Sequence, residues 1–195
     1  MKTRTTLSCV CTCLAGTALF VGAASAQTKA FRQTNLASSV SGAAERTTSS
    51  LDGPWAVAFL PGQPFFIADS GSSSVTSENS SGTQAGAVHI PASAGNSVSL
   101  PAGIASDGSG AFAAAGTPLQ YVVVTQGGTI AGFSAANGEA PTQATLLRDD
   151  SAAGAVYTAV ALLHPSCCAP YVAIADFSSG SVRTLNSSEP DYSPR

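Results

Sequence analysis

Few side chains in this sequence combine the types and spacing that chemistry requires. His89 and His164 are its two histidines, so any nucleophile that needs an imidazole base must stand beside one of them. His89 lies in Ala87-Val88-His89-Ile90-Pro91, where strand alternation places it on the face opposite Val88 and Ile90, toward solvent. His164 precedes Pro165 in a loop. The sequence holds no Gly-x-Ser-x-Gly elbow and no phosphate loop ending in Gly-Lys. Asp149-Asp150 is a carboxylate pair of the kind used in general acid–base work or calcium binding. Neighbours on a strand point to opposite faces, however, and no Asp-x-Asp-x-Asp-Gly loop surrounds the pair, so a solvated turn is expected. His164-Pro165-Ser166-Cys167-Cys168 gathers metal-ligand types, yet zinc sites space their cysteines by two or more and take four ligands. The adjacent cysteines suit instead a vicinal disulfide or a bond to another chain. No catalytic, cofactor-binding or metal-binding residue is assigned on these grounds, and no cofactor is expected.

The elements that hold these residues read as strands. Apolar runs at 55–60, 65–68, 121–125, 129–133, 157–163 and 171–175 are short, rich in β-branched and aromatic residues, and separated by Gly, Pro, Ser and Asn. No stretch keeps an apolar period of 3.6 long enough for a packed helix, so the class is all-β. Residues 27–50 form a polar lead-in, with Ala43-Ala44-Glu45-Arg46 as its one helix-like fragment.

Self-similarity carries more information than any single motif. Pro54-Trp55-Ala56-Val57-Ala58-Phe59 is followed by Phe65-Phe66-Ile67-Ala68-Asp69, a Ser/Gly turn and Val75. Tyr157-Thr158-Ala159-Val160-Ala161-Leu162 leads in the same way to Tyr171-Val172-Ala173-Ile174-Ala175-Asp176, a turn and Val182. Between them Pro101-Ala102-Gly103-Ile104-Ala105 leads to Tyr121-Val122-Val123-Val124-Thr125, then Gln126-Gly127-Gly128 and Ile130. A unit of strands alone, repeating about every fifty residues, indicates propeller blades over 51–186 rather than a helical solenoid. Asp69, Thr125 and Asp176 mark the same place in each unit. An Asp there is expected to accept backbone N–H groups of the turn that follows. Gln126-Gly127-Gly128 reads as a hairpin turn, and Trp55 is expected to pack between blade sheets.

The chain also carries an address. Lys2 and Arg4 precede residues 7–24, which hold no charge, and Ala24-Ser25-Ala26 offers the small-x-small pattern cut by signal peptidase, so residues 1–26 read as a signal peptide. Ser8, Thr12, Gly16 and Thr17 dilute the apolar stretch below what a membrane span requires. Cleavage before Gln27 removes Cys9, Cys11 and Cys13, and leaves a formal charge of −5, the −3 of the whole chain less two cations. With no basic cluster, a nucleic-acid partner is not expected, and a secreted or periplasmic location is.

The repeated units resemble NHL-type propeller repeats. Together with Gly127-Gly128-Thr129-Ile130-Ala131-Gly132-Phe133 and Gly154-Ala155-Val156-Tyr157, they look like a family of secreted bacterial β-propeller proteins, some of which end in a Pro-Glu-Pro-type sorting tail. The likeness spans about 35–185. It implies a partial, six-bladed-type propeller of about three four-stranded blades and an export route, and it brings no reaction with it. Ala56 and Ala159 stand where that family has Gly. A ring closes with 4–8 blades, so three are expected to belong to a truncated member, with 187–195 a disordered tail, or to complete a ring by self-association. Two functions follow as expectations. The first is a non-enzymatic scaffold for an extracellular or cell-surface ligand. The alternative is a metal-dependent lactonase- or lyase-like enzyme that gathers one polar side chain per blade, here Asp69, Thr125 and Asp176.

Overall fold

Runs of five or six β-branched, aromatic and small residues cannot bury themselves alone; they satisfy their backbone and cover their side chains by pairing. A computed structural model shows that pairing and describes residues 32–114, 116–135, 139–166 and 169–186. Contacts divide the chain into Met1–Gln33 and Thr34–Arg195. Of the first unit only Arg32 and Gln33 are described, and neither lies in a strand. The segments expected to be a signal peptide (1–26) and a tail (187–195), and Cys167 and Cys168, lie outside the described residues.

The second unit opens with a short parallel pair, β1 (Ala37–Ser38) and β2 (Arg46–Thr47). The helix-like fragment at 43–46 is therefore not helical; four residues fix too many dihedrals for too few hydrogen bonds to nucleate a helix unaided. The first blade is a four-stranded antiparallel meander of β3 (Pro54–Ala58), β4 (Phe65–Asp69), β5 (Ser74–Glu78) and β6 (Gln84–His89). The second blade starts at β7 (Pro101–Ser106), inserts a small hairpin of β8 (Ala113–Ala114) and β9 (Thr117–Pro118), and continues through β10 (Tyr121–Thr125), β11 (Thr129–Phe133) and β12 (Thr145–Asp149). A single 3-10 turn at Ser151–Ala153 leads to the third blade, β13 (Tyr157–Leu163), β14 (Tyr171–Asp176) and β15 (Ser181–Asn186). This third sheet has three strands among the described residues, where four were expected.

Register fixes which side chains meet. Val57 pairs with Ile67, Val160 with Ile174, and Ile104 with Val123, so each blade carries equivalent residues at equivalent points. The middle blade is covered on both faces. One face packs Ile104, Tyr121, Val123 and Phe133 against Ala58, Phe66, Ala68 and Val75 of the first blade. The other packs Val122, Val124 and Ile130 against Tyr157, Val172 and Ile174 of the third. Phe66 anchors the first contact, its ring centroid 4.5 Å from that of Tyr121 and 5.4 Å from that of Phe133. At the second, Gly103 is a steric requirement: a Cβ there would stand 2.9 Å from Val124 Cγ2 and 3.1 Å from the Val160 nitrogen. Among the described residues no helix is long and apolar enough to cross a membrane.

Candidate functional site

The three marker residues end the second strand of each blade and lie on equivalent faces, which in the second and third blades are turned toward the preceding blade. Their side chains are buried, at 0% exposure for Asp69 and Thr125 and 2% for Asp176. Asp176 behaves as the sequence leads one to expect. Its Oδ1 accepts from the Ser178 backbone N–H (3.1 Å), the Ser178 hydroxyl and the Val156 N–H, while Oδ2 accepts from Ser179 Oγ (2.8 Å) and pairs with Arg183 at 2.8 Å. Burial pulls its pKa upward, but these donors and the guanidinium outweigh it and hold the carboxyl well below the usual range.

Thr125 replaces that set with a smaller one. Its hydroxyl accepts the Thr129 N–H at 3.0 Å and shares a hydrogen bond with the Thr129 hydroxyl at 2.8 Å, while Thr129 also reaches the Pro91 carbonyl at the end of the first blade. Between them Gly128 turns at φ 81°, the left-handed conformation anticipated for this hairpin. Thr125→Val keeps the volume but strands the Thr129 donor, so a loss of about 1–2 kcal/mol in urea unfolding is expected; an unchanged midpoint would show that the bond contributes nothing.

Asp69 differs from both. It takes no donor from its own turn and accepts one hydrogen bond across the sheet, from the Thr76 hydroxyl at 2.5 Å, with Oδ1 unpartnered among the described residues. Burial raises its pKa to about 6, the Thr76 bond opposes this, and the charge of Asp52 adds to the rise. Glu78, two positions beyond Thr76 on β5, is also buried with both oxygens unpartnered among the described residues. Its carboxyl is raised as well, by burial first and then by Asp69.

The densest polar cluster is one the sequence placed in solvent. Asp149 is exposed as expected, accepting from the Ala94 and Ser151 N–H groups. Asp150, on the opposite face, is only 8% exposed. It closes the junction between the second and third blades: Arg148 Nε stands 2.7 Å from each of its oxygens, and the Tyr157 hydroxyl donates to Oδ2 at 2.5 Å. Arg148, Asp150, Tyr157 and Arg183 line a cavity of about 10 Å³, room for roughly one water molecule. Burial works against ionisation of Asp150, but Arg148, Tyr157 and the charge of Arg183 hold its pKa low. Burial and Asp150 both push the Tyr157 phenol upward.

Sequence reasoning passed over Asp107, which is buried and accepts from the Ser109 N–H and hydroxyl and from the Phe112 N–H. Asp107-Gly108-Ser109 is an Asx-turn signal that identifies it. His164 is exposed in its loop, with Nε2 3.5 Å from Asp107 Oδ1. His89 is exposed at the end of β6, where its backbone bonds to Thr142 and Ala144. Trp55 departs from expectation: instead of packing between sheets of this chain it is 58% exposed, because the first blade presents its outer face to solvent there. Neither histidine stands in the Asp150 junction or among the three marker residues, and the described residues hold no group of three or more His, Cys, Asp or Glu able to bind a metal.

No family model matches the chain, and no curated protein matches it in sequence. Among solved structures it is similar to the propeller of Dos1, at 15% identity with a TM-score of 0.51 over 70% of this chain. The chain spans 33% of the length of that structure. At this identity the likeness shows the fold alone: three consecutive blades of a β-propeller.

Proposed function

We propose that the chain is an exported, NHL-like propeller scaffold that binds an extracellular or cell-surface partner through its loops and carries out no reaction of its own. The observation that carries this reading is the fate of the three recurrent polar side chains. An enzyme of propeller type would turn them toward a shared channel, whereas Asp69, Thr125 and Asp176 are buried and bonded within their own blades. The uncharged stretch and Ala24-Ser25-Ala26 support export, and the acidic balance argues against nucleic acid as the partner.

Two measurements on the expressed protein test the reading. Mass spectrometry of the extracytoplasmic fraction is expected to find Gln27 as the first residue; recovery of the uncut chain in the cytoplasm would remove the export half. Thermal melting with and without millimolar calcium is expected to coincide, while the protein is retained by washed cell envelopes. A calcium-dependent rise in Tm would instead favour a metal-dependent lactonase- or lyase-like enzyme.

A further inference from the structure

We infer that the outer face of the first blade receives an arginine side chain of a partner polypeptide, whose guanidinium is matched by the buried carboxylate of Glu78. The site lies on the sheet rather than in the loops, so it stands apart from what the loops bind.

Register singles out Glu78. Phe65 pairs with Glu78 in the first blade as Tyr121 pairs with Phe133 in the second and Val172 with Leu185 in the third. Phe133 and Leu185 are buried apolar residues, each in one of the two cores that join the blades. The rest of the face keeps the common pattern, with Val57 and Ile67 paired as Ile104 is with Val123 and Val160 with Ile174. A carboxylate thus stands at one apolar point of a face otherwise built for an apolar contact. Glu78 is only 3% exposed, and neither of its oxygens has a donor among the described residues, a costly state for a charge.

The other buried carboxylates show what this one lacks. Asp107 is satisfied by the N–H groups and hydroxyl of its own turn. Asp150 has Arg148 at 2.7 Å, and Asp176 has Arg183 at 2.8 Å. Asp69 has the Thr76 hydroxyl at the point where Asp176 has Arg183, so among the described residues neither Asp69 nor Glu78 has a cation. Burial first, and then the charge of Asp69, raises the Glu78 carboxyl. A cation brought to Glu78 counters both effects.

The surroundings select a guanidinium on a long apolar stem. A cleft of about 320 Å³ reaches Glu78 between Leu36 and Leu51 of the lead-in and Val57, Phe65 and Ile67 of the blade. Such walls cover the methylenes of a side chain whose charged head lies at the far end. Two acceptor oxygens without donors suit the parallel N–H groups of a guanidinium better than the point charge of an ammonium. A hard metal ion would need more oxygen ligands than are gathered here. Because Glu78 is nearly covered, the lead-in wall yields as the side chain enters. A polypeptide is the carrier that fits this face: its equivalents on the second and third blades are covered by sheet, and Val57, 62% exposed, offers apolar contact to residues flanking the arginine.

The probe is a blocked Val-Arg-Val tripeptide, titrated into the isotope-labelled chain and followed by backbone amide NMR. Saturable shifts are expected at Val57, Phe65, Ile67 and Glu78. The same peptide with citrulline, which keeps the shape and loses the charge, is expected to bind roughly tenfold more weakly or worse, and the lysine peptide to fall below arginine. Glu78→Gln is expected to weaken the arginine peptide roughly tenfold or more and to leave the citrulline peptide unchanged. Circular dichroism checks that the variant is folded, and the comparison of the three peptides on the unaltered chain needs no variant. No binding, shifts confined to other surfaces, citrulline or lysine binding as tightly as arginine, or a folded Glu78→Gln chain with undiminished affinity would each overturn the inference. Retention on cell envelopes tests the loops separately and is expected to be the same for Glu78→Gln; loss of retention in that variant would deny the separateness of the two sites.

Discussion

Asp150→Ala is expected to lower the free energy of unfolding by about 3–5 kcal/mol, measured by urea denaturation near neutral pH. The size follows from what the substitution leaves behind rather than from what the ion pair is worth. Asp150 is the acceptor for Arg148 Nε and for the Tyr157 hydroxyl, at a junction where Ile130, Ile174 and Leu185 exclude solvent. Removing the carboxylate takes the acceptor from a fully buried phenol and the counter-charge from beside a guanidinium that is only 16% exposed. Tyr157→Phe removes one donor and leaves the ion pair, so about 1–2 kcal/mol is expected from it. Because both residues belong to one network, the double variant should cost less than the two singles combined. Additive losses would show that Asp150 and Tyr157 act independently and that the junction is not a unit.

The same junction shows where the sequence stops being informative. Blade identity was legible because strand period and repeat period act together: Ala56-Val57-Ala58 and Ala159-Val160-Ala161 alternate alike and recur at the same point, so their pairing and their faces follow. The Asp176 turn was legible because its donors, Ser178 and Ser179, are two and three residues away. Asp150 was not, because what buries it arrives from Tyr157 and the third blade rather than from its own turn. Asp69 also ends its strand before a Ser/Gly turn, but Gly71 stands where Asp176 has Ser178, and its carboxylate looks across the strand to Thr76. The position equivalent to Thr76 in the third blade is Arg183, a longer donor and a counter-charge. Asp176 is held low first by Ser179 and Ser178 of its own turn and last by Arg183, whereas Asp69 has only the Thr76 bond to set against its burial.

That difference makes Asp69 the main lever of pH. A carboxyl whose pKa is higher in the fold than in the unfolded chain binds its proton more tightly when folded. Its contribution is complete below the ordinary value of 3.8 and is lost as pH rises through about 6. A difference of that size corresponds to roughly 2–3 kcal/mol for a fully buried group. Asp176, Asp150 and Asp107 act in the opposite sense: their lowered values give stability that is present above the ordinary carboxylate range and lost as pH falls through their folded values. Between pH 4 and 7 the Asp69 term therefore declines while theirs is already in place. Asp69→Asn keeps an acceptor for Thr76 and removes the charge, so it should be nearly neutral at pH 4 and stabilising by roughly 2–3 kcal/mol at pH 8. Whatever alkaline decline persists in the variant belongs to Glu78, whose raised carboxyl carries the same sign. Parallel stability curves for the two proteins from pH 4 to 8 would show that Asp69 does not bind its proton more tightly in the fold.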